Sequence, residues 1–204
     1  MTASSPAGVG AVLLVGGEGR RMGGIAKPLL TLEGRSLLAR TVEALVEAGV
    51  GPIVAVGPML EEKDDVVWTT EEPPLGGPVS GIAAGLARMP ADRVLILAGD
   101  LARPDAVVQG LLSHRSADVD AAAPASVDGV VFSADGHPQW LAGLYRTASV
   151  RHALDALETD RNASVRALLG GLAIEWIVDQ EGITTDIDTP ADLARAREET
   201  EETS

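Results

Sequence analysis

Residues 9–27 read VGAVLLVGGEGRRMGGIAK and are the most informative part of the sequence about the fold. The apolar run at 9–15 is typical of a buried strand, and it leads directly into a loop with five glycines among residues 16–24. Further along the chain, apolar runs of about five residues alternate with longer stretches of helical period, which is typical of parallel strands joined by crossover helices. The sequence therefore predicts an α/β fold, a doubly wound, mostly parallel sheet with flanking helices.

The remaining elements follow from the same periodicity and from helix-capping residues. Ser36 predicts the start of one helix and Gly49 its end, while Thr189 as N-cap with Asp192 at the third helical position predicts the start of another. Further strands are predicted at 52–56, 65–68, 93–98, 119–124, 139–145 and 172–178, and helices at 37–48, 79–89, 105–113, 147–158, 162–169 and from 189 onward.

The length of 204 residues fits one well-buried core. We expect a flexible N-terminus over 1–8, a single domain over 9–197 and an acidic tail over 198–204. Hydrophobic residues make up 46% of the chain but aromatic residues only 2%, so small aliphatic side chains must fill the core. That composition suits a sheet flanked by helices.

Composition also excludes several classes of function. The chain has no cysteine, which excludes disulfides and thiolate zinc sites and favours a cytoplasmic location. Residues 1–8 lack the features of a signal peptide, and every apolar run is far shorter than the roughly 20 residues that span a bilayer, so no membrane association is expected. The net charge of −14 opposes binding to nucleic acid.

The glycine loop combines flexible backbone with positive charge. Arg20, Arg21 and Lys27 lie beside its glycines, an arrangement expected where several cations hold the phosphates of a nucleotide. The spacing fits neither the Walker phosphate loop nor the G-x-G-x-x-G dinucleotide fingerprint. A tight structural turn with surface cations is the alternative interpretation.

The stretch LVGGEGRRMGGIAK resembles the signature L-A-G-G-x-x-x-R-M-G-G-x-x-K of molybdenum cofactor guanylyltransferases and related nucleotidyltransferases. The resemblance implies that Arg21 and Lys27 are catalytic, because they would contact the phosphates and offset charge on the leaving pyrophosphate. It implies nucleotide contacts within this stretch from Leu14, Gly16, Gly17, Gly19, Arg21 and Lys27.

Asp100 is the first candidate metal ligand, since it lies two residues beyond the predicted strand at 93–98. Ligands of open α/β sheets bind at the carboxyl ends of the strands. From the residues alone, Asp100 could equally bind Mg²⁺ with a triphosphate or cap a helix that begins near Pro104. The stretch LAGD is similar to the metal-binding motif of the family, which implies that Asp100 is catalytic and contacts both nucleotide and Mg²⁺.

A second pair of carboxylates lies in TTDIDTPADL at 184–193. Asp186 and Asp188 are two residues apart, so their side chains face the same side if the segment is extended. They could bind the same ion, or Asp188 could simply flank the helix that begins at Thr189. The resemblance implies Asp188 as the second metal ligand, with Asp186 as the alternative.

The stretch TTEEPPLGGPVSGI at 69–82 predicts a rigid loop that presents backbone groups, although a surface loop leading into a helix fits the same residues. The resemblance implies nucleotide contacts from Leu75, Gly76 and Gly77, directed at the base. It also places Gln139, in SADGHPQWLAGLYR, at the acceptor. Three further residues are open between contact with the acceptor phosphate and ordinary surface positions, namely Arg146, Asn162 and Arg166.

Together, the resemblance implies an enzyme that transfers GMP from GTP to the phosphate of molybdenum-molybdopterin with Mg²⁺ as cofactor, releasing pyrophosphate. Its partners would be these small molecules and cofactor-delivery proteins. One alternative is a relative of the same fold that uses CTP, or that acts on a sugar phosphate. Another is a nucleotide-binding module without catalytic activity.

Overall fold

A computed structural model describes residues 8–16, 26–72, 74–115, 127–187 and 189–203. Its strands are β1 (Val9–Leu14), β2 (Thr31–Leu32), β3 (Arg35–Ser36), β4 (Ile53–Val56), β5 (Val66–Thr69), β6 (Arg93–Ala98), β7 (Gly129–Ala134), β8 (His137–Arg146) and β9 (Ile174–Val178). Its α-helices are α1 (Leu37–Glu47), α2 (Pro78–Leu86), α3 (Pro104–Arg115), α4 (Thr147–Asp155), α5 (Val165–Leu169) and α6 (Pro190–Thr203), and a short 3-10 helix spans Lys27–Leu29.

Seven strands form one sheet in the order β5-β4-β1-β6-β8-β7-β9. The first four strands in this order are parallel to one another, β8 is antiparallel to both of its neighbours, and β9 is parallel to β7. The remaining two strands, β2 and β3, form a small separate hairpin. The prediction of a mostly parallel, doubly wound sheet is confirmed.

The strand order reverses between β1 and β6. From β1 the chain moves outward to β4 and β5, and then returns to place β6 on the other side of β1. Loops that leave neighbouring strands in opposite directions open a crevice at the carboxyl ends, which is where α/β sheets bind ligands. The glycine loop follows β1 and Asp100 follows β6, so topology alone brings the two predicted motifs to this crevice.

Aliphatic side chains fill both faces of the sheet, as the composition predicts. On one face the strands pack against α1 and α3, and on the other against α2, α4 and α5. A third, smaller cluster joins the β2–β3 hairpin to α6 and includes Leu32, Ile187 and Leu193. No helix in the described part of the chain combines the length and the apolar character needed to cross a bilayer.

Most predicted elements agree with the structure to within a few residues. Helix α5 is shorter than predicted because Asn162 takes a left-handed backbone conformation, with φ 56°, and Ser164 caps the helix by accepting a hydrogen bond from Ala167 N–H at 3.1 Å. The predicted strand at 119–124 lies outside the described residues, and β7 was not predicted at all.

Candidate functional site

The start of the glycine loop is fixed at the crevice between β1 and β6. Gly99 N–H donates to the carbonyl oxygen of Leu14 at 3.0 Å, so the segment after β6 stays paired with the end of β1. A Cβ atom on Gly57, where φ is 141°, would lie only 2.8 Å from the backbone nitrogen of Gly16, so this approach requires glycine. Leu14 and Gly16, both predicted to contact the nucleotide, therefore lie where the fold places ligands.

Four of the predicted site residues lie outside the described residues. These are Gly17, Gly19 and Arg21 of the glycine loop and Asp188 of the C-terminal pair. Their roles stay predictions.

Lys27 and Asp100 form the central contact of the site. Lys27 Nζ donates to Asp100 Oδ2 at 3.2 Å, and the two residues are 73 positions apart in the chain. Their side chains are 24% and 18% exposed, so the pair is shielded but within reach of a ligand. The structure thus brings together the end of the glycine loop and the carboxylate after β6, with opposite charges in contact at the crevice.

This contact bears on one of the two interpretations of Asp100, the helix cap. Helix α3 begins at Pro104 and the residue before it is Arg103, whose carbonyl oxygen accepts the first-turn hydrogen bond from Val107 N–H at 3.2 Å. Asp100 lies too early in the chain to be the N-cap, and its side chain contacts Lys27 instead. The helix-cap interpretation is therefore wrong.

The segment at 185–187 pairs with the chain that follows β6. Leu101 and Asp186 form an antiparallel bridge, flanked by hydrogen bonds from Ile187 N–H to Asp100 C=O at 3.0 Å and from Ala102 N–H to Thr185 C=O at 3.2 Å. Ile187 is fully buried, and because side chains alternate along an extended segment, the exposed Asp186 points the other way. The second predicted carboxylate segment is thus fixed beside Asp100.

Asp179 holds the loop that leads into this segment, and sequence reasoning missed it. Its carboxylate accepts hydrogen bonds from Glu181 N–H at 3.2 Å, Ile183 N–H at 3.0 Å, Thr184 N–H at 2.9 Å and Thr184 Oγ1 at 2.7 Å. Burial raises the pKa of Asp179, but the hydrogen bonds from Thr184, Ile183 and Glu181 outweigh it, so the pKa lies below its ordinary value. An Asp directly after a strand and just before a glycine turn was the available sequence signal.

The loop predicted to contact the base lies at the N-terminus of α2 and close to Leu14. A Cβ atom on Gly81, in the first turn of α2, would lie 3.1 Å from Cδ2 of Leu14, so the helix packs directly on the end of β1. The loop itself contains two left-handed residues, Leu75 with φ 63° and Gly77 with φ 92°. Leu75 is 71% exposed, whereas Gly76 is buried.

Gln139 lies at the same edge of the sheet, and Arg146 does not. Strand β8 runs antiparallel to β6 and pairs Ala142 with Leu97, so the register continued by three residues brings Gln139 level with Asp100. Arg146 pairs with the first residue of β6 at the opposite edge, where its Nε donates to Val127 C=O at 3.0 Å. The structure is therefore against a role for Arg146 at the acceptor.

The oxygen donors at this site fit the requirements of a magnesium ion. Among the described residues there is no group of three or more His, Asp or Glu side chains that could hold an ion. Mg²⁺ characteristically keeps water and phosphate oxygens and takes only one or two protein carboxylates. Asp100, with the segment of Asp186 fixed beside it, supplies that kind of donor.

Curated relatives share substantial sequence with this chain. A protein of Methanosarcina acetivorans named "Probable molybdenum cofactor guanylyltransferase" is 32% identical over 125 residues, which cover 56% of this chain and 56% of the relative. The chain thus spans little more than half the length of that protein. A "Molybdenum cofactor guanylyltransferase" of Bradyrhizobium is 30% identical over 217 aligned positions, which cover 96% of this chain and 95% of the relative.

Solved structures share the fold. The molybdopterin-guanine dinucleotide biosynthesis protein A of Archaeoglobus fulgidus aligns with a TM-score of 0.66 at 22% identity, over 94% of this chain and 98% of its own. The 2-C-methyl-D-erythritol 4-phosphate cytidylyltransferase of Thermus thermophilus aligns with a TM-score of 0.66 at 16% identity, over 95% of this chain and 99% of its own. At these identities the two structures show a common fold and no more.

The model of the MobA-like NTP transferase domain matches residues 11–175, from the first strand of the sheet into the last. That match covers well over half of the chain, and the Bradyrhizobium relative extends the likeness over nearly all of it. This chain belongs to the MobA-like NTP transferase family.

Proposed function

We propose that this protein is a nucleotidyltransferase that transfers GMP from GTP to the phosphate of a molybdopterin-type acceptor and releases pyrophosphate, with Mg²⁺ as cofactor. The observation that carries the proposal is the contact between Lys27 and Asp100 at the switch point of the sheet. This contact supports the proposal, because a side chain suited to phosphates and a carboxylate suited to a metal lie side by side at the edge where α/β sheets bind ligands.

In the proposed reaction, an oxygen of the acceptor phosphate attacks the α-phosphorus of GTP in line. A new P–O bond forms, the bond between the α-phosphorus and its bridging oxygen to the β-phosphate breaks, and that oxygen leaves with pyrophosphate. Lys27 contacts the phosphates and offsets charge on the leaving group, a role in which Arg21 of the glycine loop joins it. Catalysis then rests on positioning and charge stabilisation, and no residue of the chain is modified.

Asp100 would hold the metal together with the segment that carries Asp186 and Asp188. When bound, Mg²⁺ neutralises charge on the phosphate oxygens and orients them. In the proposed site Leu14 and Gly16, together with Gly17 and Gly19 of the sequence prediction, contact the nucleotide, and the Leu75–Gly77 segment contacts the base. The close approach of Gly81 to Leu14 supports this assignment, because it brings the start of α2 next to the end of β1. Gln139 lies on the acceptor side, next to the carboxyl end of β6.

The names of the relatives support GTP and a molybdopterin-type acceptor, because both curated proteins are named as guanylyltransferases of the molybdenum cofactor. A cytidylyltransferase shares the fold, so the base needs a direct test. Proteins that deliver or receive the cofactor, and a cytoplasmic location, complete the proposal. The absence of cysteine from the sequence supports a reducing compartment.

The first test compares binding of GTP, CTP, ATP and UTP with and without Mg²⁺, measured by calorimetry. We expect selective, magnesium-dependent binding of GTP, followed by release of pyrophosphate when a molybdopterin acceptor is added. A preference for CTP would move the assignment to cytidylyl transfer, and a preference for UTP or ATP to a sugar-phosphate acceptor. Binding without turnover on any acceptor would favour a non-catalytic module.

A matched pair of variants tests the central carboxylate. Asp100→Asn should abolish magnesium-dependent turnover, whereas Asp64→Asn, an exposed site elsewhere in the chain, should leave it unchanged. Since partly exposed ion pairs contribute about 1 kcal/mol or less to stability, both variants should remain folded. Full activity of Asp100→Asn with Mg²⁺ would contradict the metal assignment.

A further inference from the structure

The loop that precedes α2 holds an energetically unfavourable conformation. Leu75 has φ 63°, a region that non-glycine residues seldom occupy, and the residue is 71% exposed. Burial of the leucine side chain therefore does not hold this conformation. Hydrogen bonds from outside the Leu75–Gly77 segment must hold it instead.

One of these hydrogen bonds comes from Glu71. Its Oε1 accepts from the N–H of Leu75, four positions further along the chain, at 3.1 Å. Glu71 is half-buried, while the adjacent Glu72 is exposed. Among the hydrogen bonds of the described residues, only Glu71 of these two glutamates contacts the loop backbone. The two neighbouring side chains therefore differ in role.

A second restraint acts on the carbonyl group of Gly76. Its oxygen accepts one hydrogen bond from Asn162 N–H at 2.7 Å and another from Ser80 Oγ at 3.2 Å. A carbonyl oxygen has two lone pairs, and both are engaged here. The carbonyl of Gly76 is therefore turned inward, toward α2 and the turn before α5, and cannot contact a ligand.

The orientation of this carbonyl fixes the neighbouring N–H group. In a planar trans peptide the N–H of Gly77 points opposite to the C=O of Gly76, so it is directed away from Asn162 and Ser80. Within the described part of the chain no acceptor contacts the N–H of Gly77. The loop thus offers a hydrogen-bond donor, and beside it the exposed apolar side chain of Leu75.

We propose that Glu71 and Ser80 are positioning residues for base specificity, which hold the N–H of Gly77 and the side chain of Leu75 toward a bound base. A donor at this point favours a base with a carbonyl oxygen on its edge. Guanine presents O6 there, whereas adenine presents an amino group, which is itself a donor. The inference rests on the proposed function, because it takes the Leu75–Gly77 segment as the part of the site that contacts the base.

The test measures the ratio of GTP to ATP affinity by calorimetry in two matched pairs of variants. Loss of one such hydrogen bond should lower the ratio about 3- to 10-fold in Glu71→Ala and in Ser80→Ala. Glu72→Ala is the control for the first, and Ser113→Ala for the second, since Ser113 makes the same kind of bond to the carbonyl four residues earlier, in α3. Glu71→Gln keeps an acceptor oxygen and should restore the ratio.

A nucleotide analogue tests the donor itself. The triphosphate of 2-aminopurine riboside lacks O6, so wild-type protein should bind it at least about tenfold more weakly than GTP, and Glu71→Ala should narrow that difference. Equal binding of the analogue and GTP by wild-type protein would overturn the inference, as would unchanged ratios in both folded variants. If wild-type protein bound none of the triphosphates, the proposed function would fail as well, so the two failures are distinguishable.

Discussion

Asp179→Asn tests whether the loop at 179–184 positions metal ligands. The two carboxylate oxygens of Asp179 share four hydrogen bonds, from Glu181, Ile183 and twice from Thr184. The amide keeps one acceptor oxygen and turns an NH₂ group toward two donors, so two bonds are lost. At about 0.5–1.5 kcal/mol each, and with a discount for the partial exposure of the site, the loss is about 1–2 kcal/mol.

Asp128→Asn is the matched control for this change. Asp128 accepts hydrogen bonds from Ser149 Oγ at 2.7 Å and from Ala173 N–H at 2.9 Å, but it lies at the opposite edge of the sheet, just before β7 begins. By the same count Asp128→Asn loses one bond, or about 0.5–1.5 kcal/mol. For a chain of this size Tm should then fall by about 1–6 °C in Asp128→Asn and by about 2–8 °C in Asp179→Asn. Thermal unfolding followed by circular dichroism measures this directly.

Only one of the two variants should change the response to magnesium. In Asp179→Asn the segment that carries Asp186 is held less firmly beside Asp100, so the Mg²⁺ concentration for half-maximal pyrophosphate release should rise about tenfold, in the range seen when partners of metal ligands are removed. In Asp128→Asn it should stay as in wild-type protein. Each variant is assayed the same number of degrees below its own Tm. If both then show the same Mg²⁺ dependence, the positioning role is refuted.

Three further predictions follow from the same structure. The hydrogen bonds to Asp179, and that from Ser149 to Asp128, hold the pKa of each carboxyl below its ordinary 3.8. The stability that each ionised carboxylate contributes is therefore complete above that pH and is lost as the pH falls through the pKa of the folded state. In urea unfolding between pH 5 and 3, the free energy of unfolding should fall less steeply for the Asn variants than for wild-type protein. Lys27 and Lys63 are the only lysines of the chain, so acetylation followed by mass spectrometry should show GTP protecting Lys27 and leaving Lys63 modified; equal labelling of both would remove Lys27 from the phosphate site. A Cβ atom on Gly85 would lie 2.6 Å from a valine methyl of β1, so Gly85→Ala should destabilise the protein by about 1–3 kcal/mol in urea unfolding, and an unchanged midpoint would contradict that packing.

Features set by a few neighbouring residues were predictable from the sequence. Ser36 caps α1 by accepting from Ala39 N–H at 3.0 Å, as predicted. Thr189 and Asp192 form the predicted capping box, with Thr189 N–H donating to Asp192 Oδ2 at 2.9 Å and Asp192 N–H donating to Thr189 Oγ1 at 3.2 Å. Each of these interactions spans only three residues, so the sequence pattern contains all of its parts.

Features that depend on pairing across the chain were not predictable in this way. The pairing of β7 with β8 changes register between Val131 and Phe132. Val131 lies opposite Gly143, whereas Phe132 lies opposite Gln139. Three residues of β8 thus have no partner on β7, and the apolar run at 139–145 gives no sign of this irregularity. The pairing of β7 with β9 likewise depends on the whole sheet being assembled.

For the candidate site, the sequence predicted the residues but not their contacts. Lys27 and Asp100 were both predicted, yet their direct ion pair depends on the neighbouring positions of β1 and β6 in the sheet. The roles of Glu71 and Asp179 come from hydrogen bonds to loop backbone, which composition does not reveal. The division into a domain at 9–197 and a tail at 198–204 stays a prediction, although α6 extends to Thr203.

The pairing of 100–102 with 185–187 bears on the order in which the parts of the crevice can form. Every strand of the seven-stranded sheet lies outside these two segments, so the sheet can assemble while Asp100 still lacks the strand-like partner beside it. The crevice next to Asp100 is therefore completed by a segment that adds no strand to the sheet.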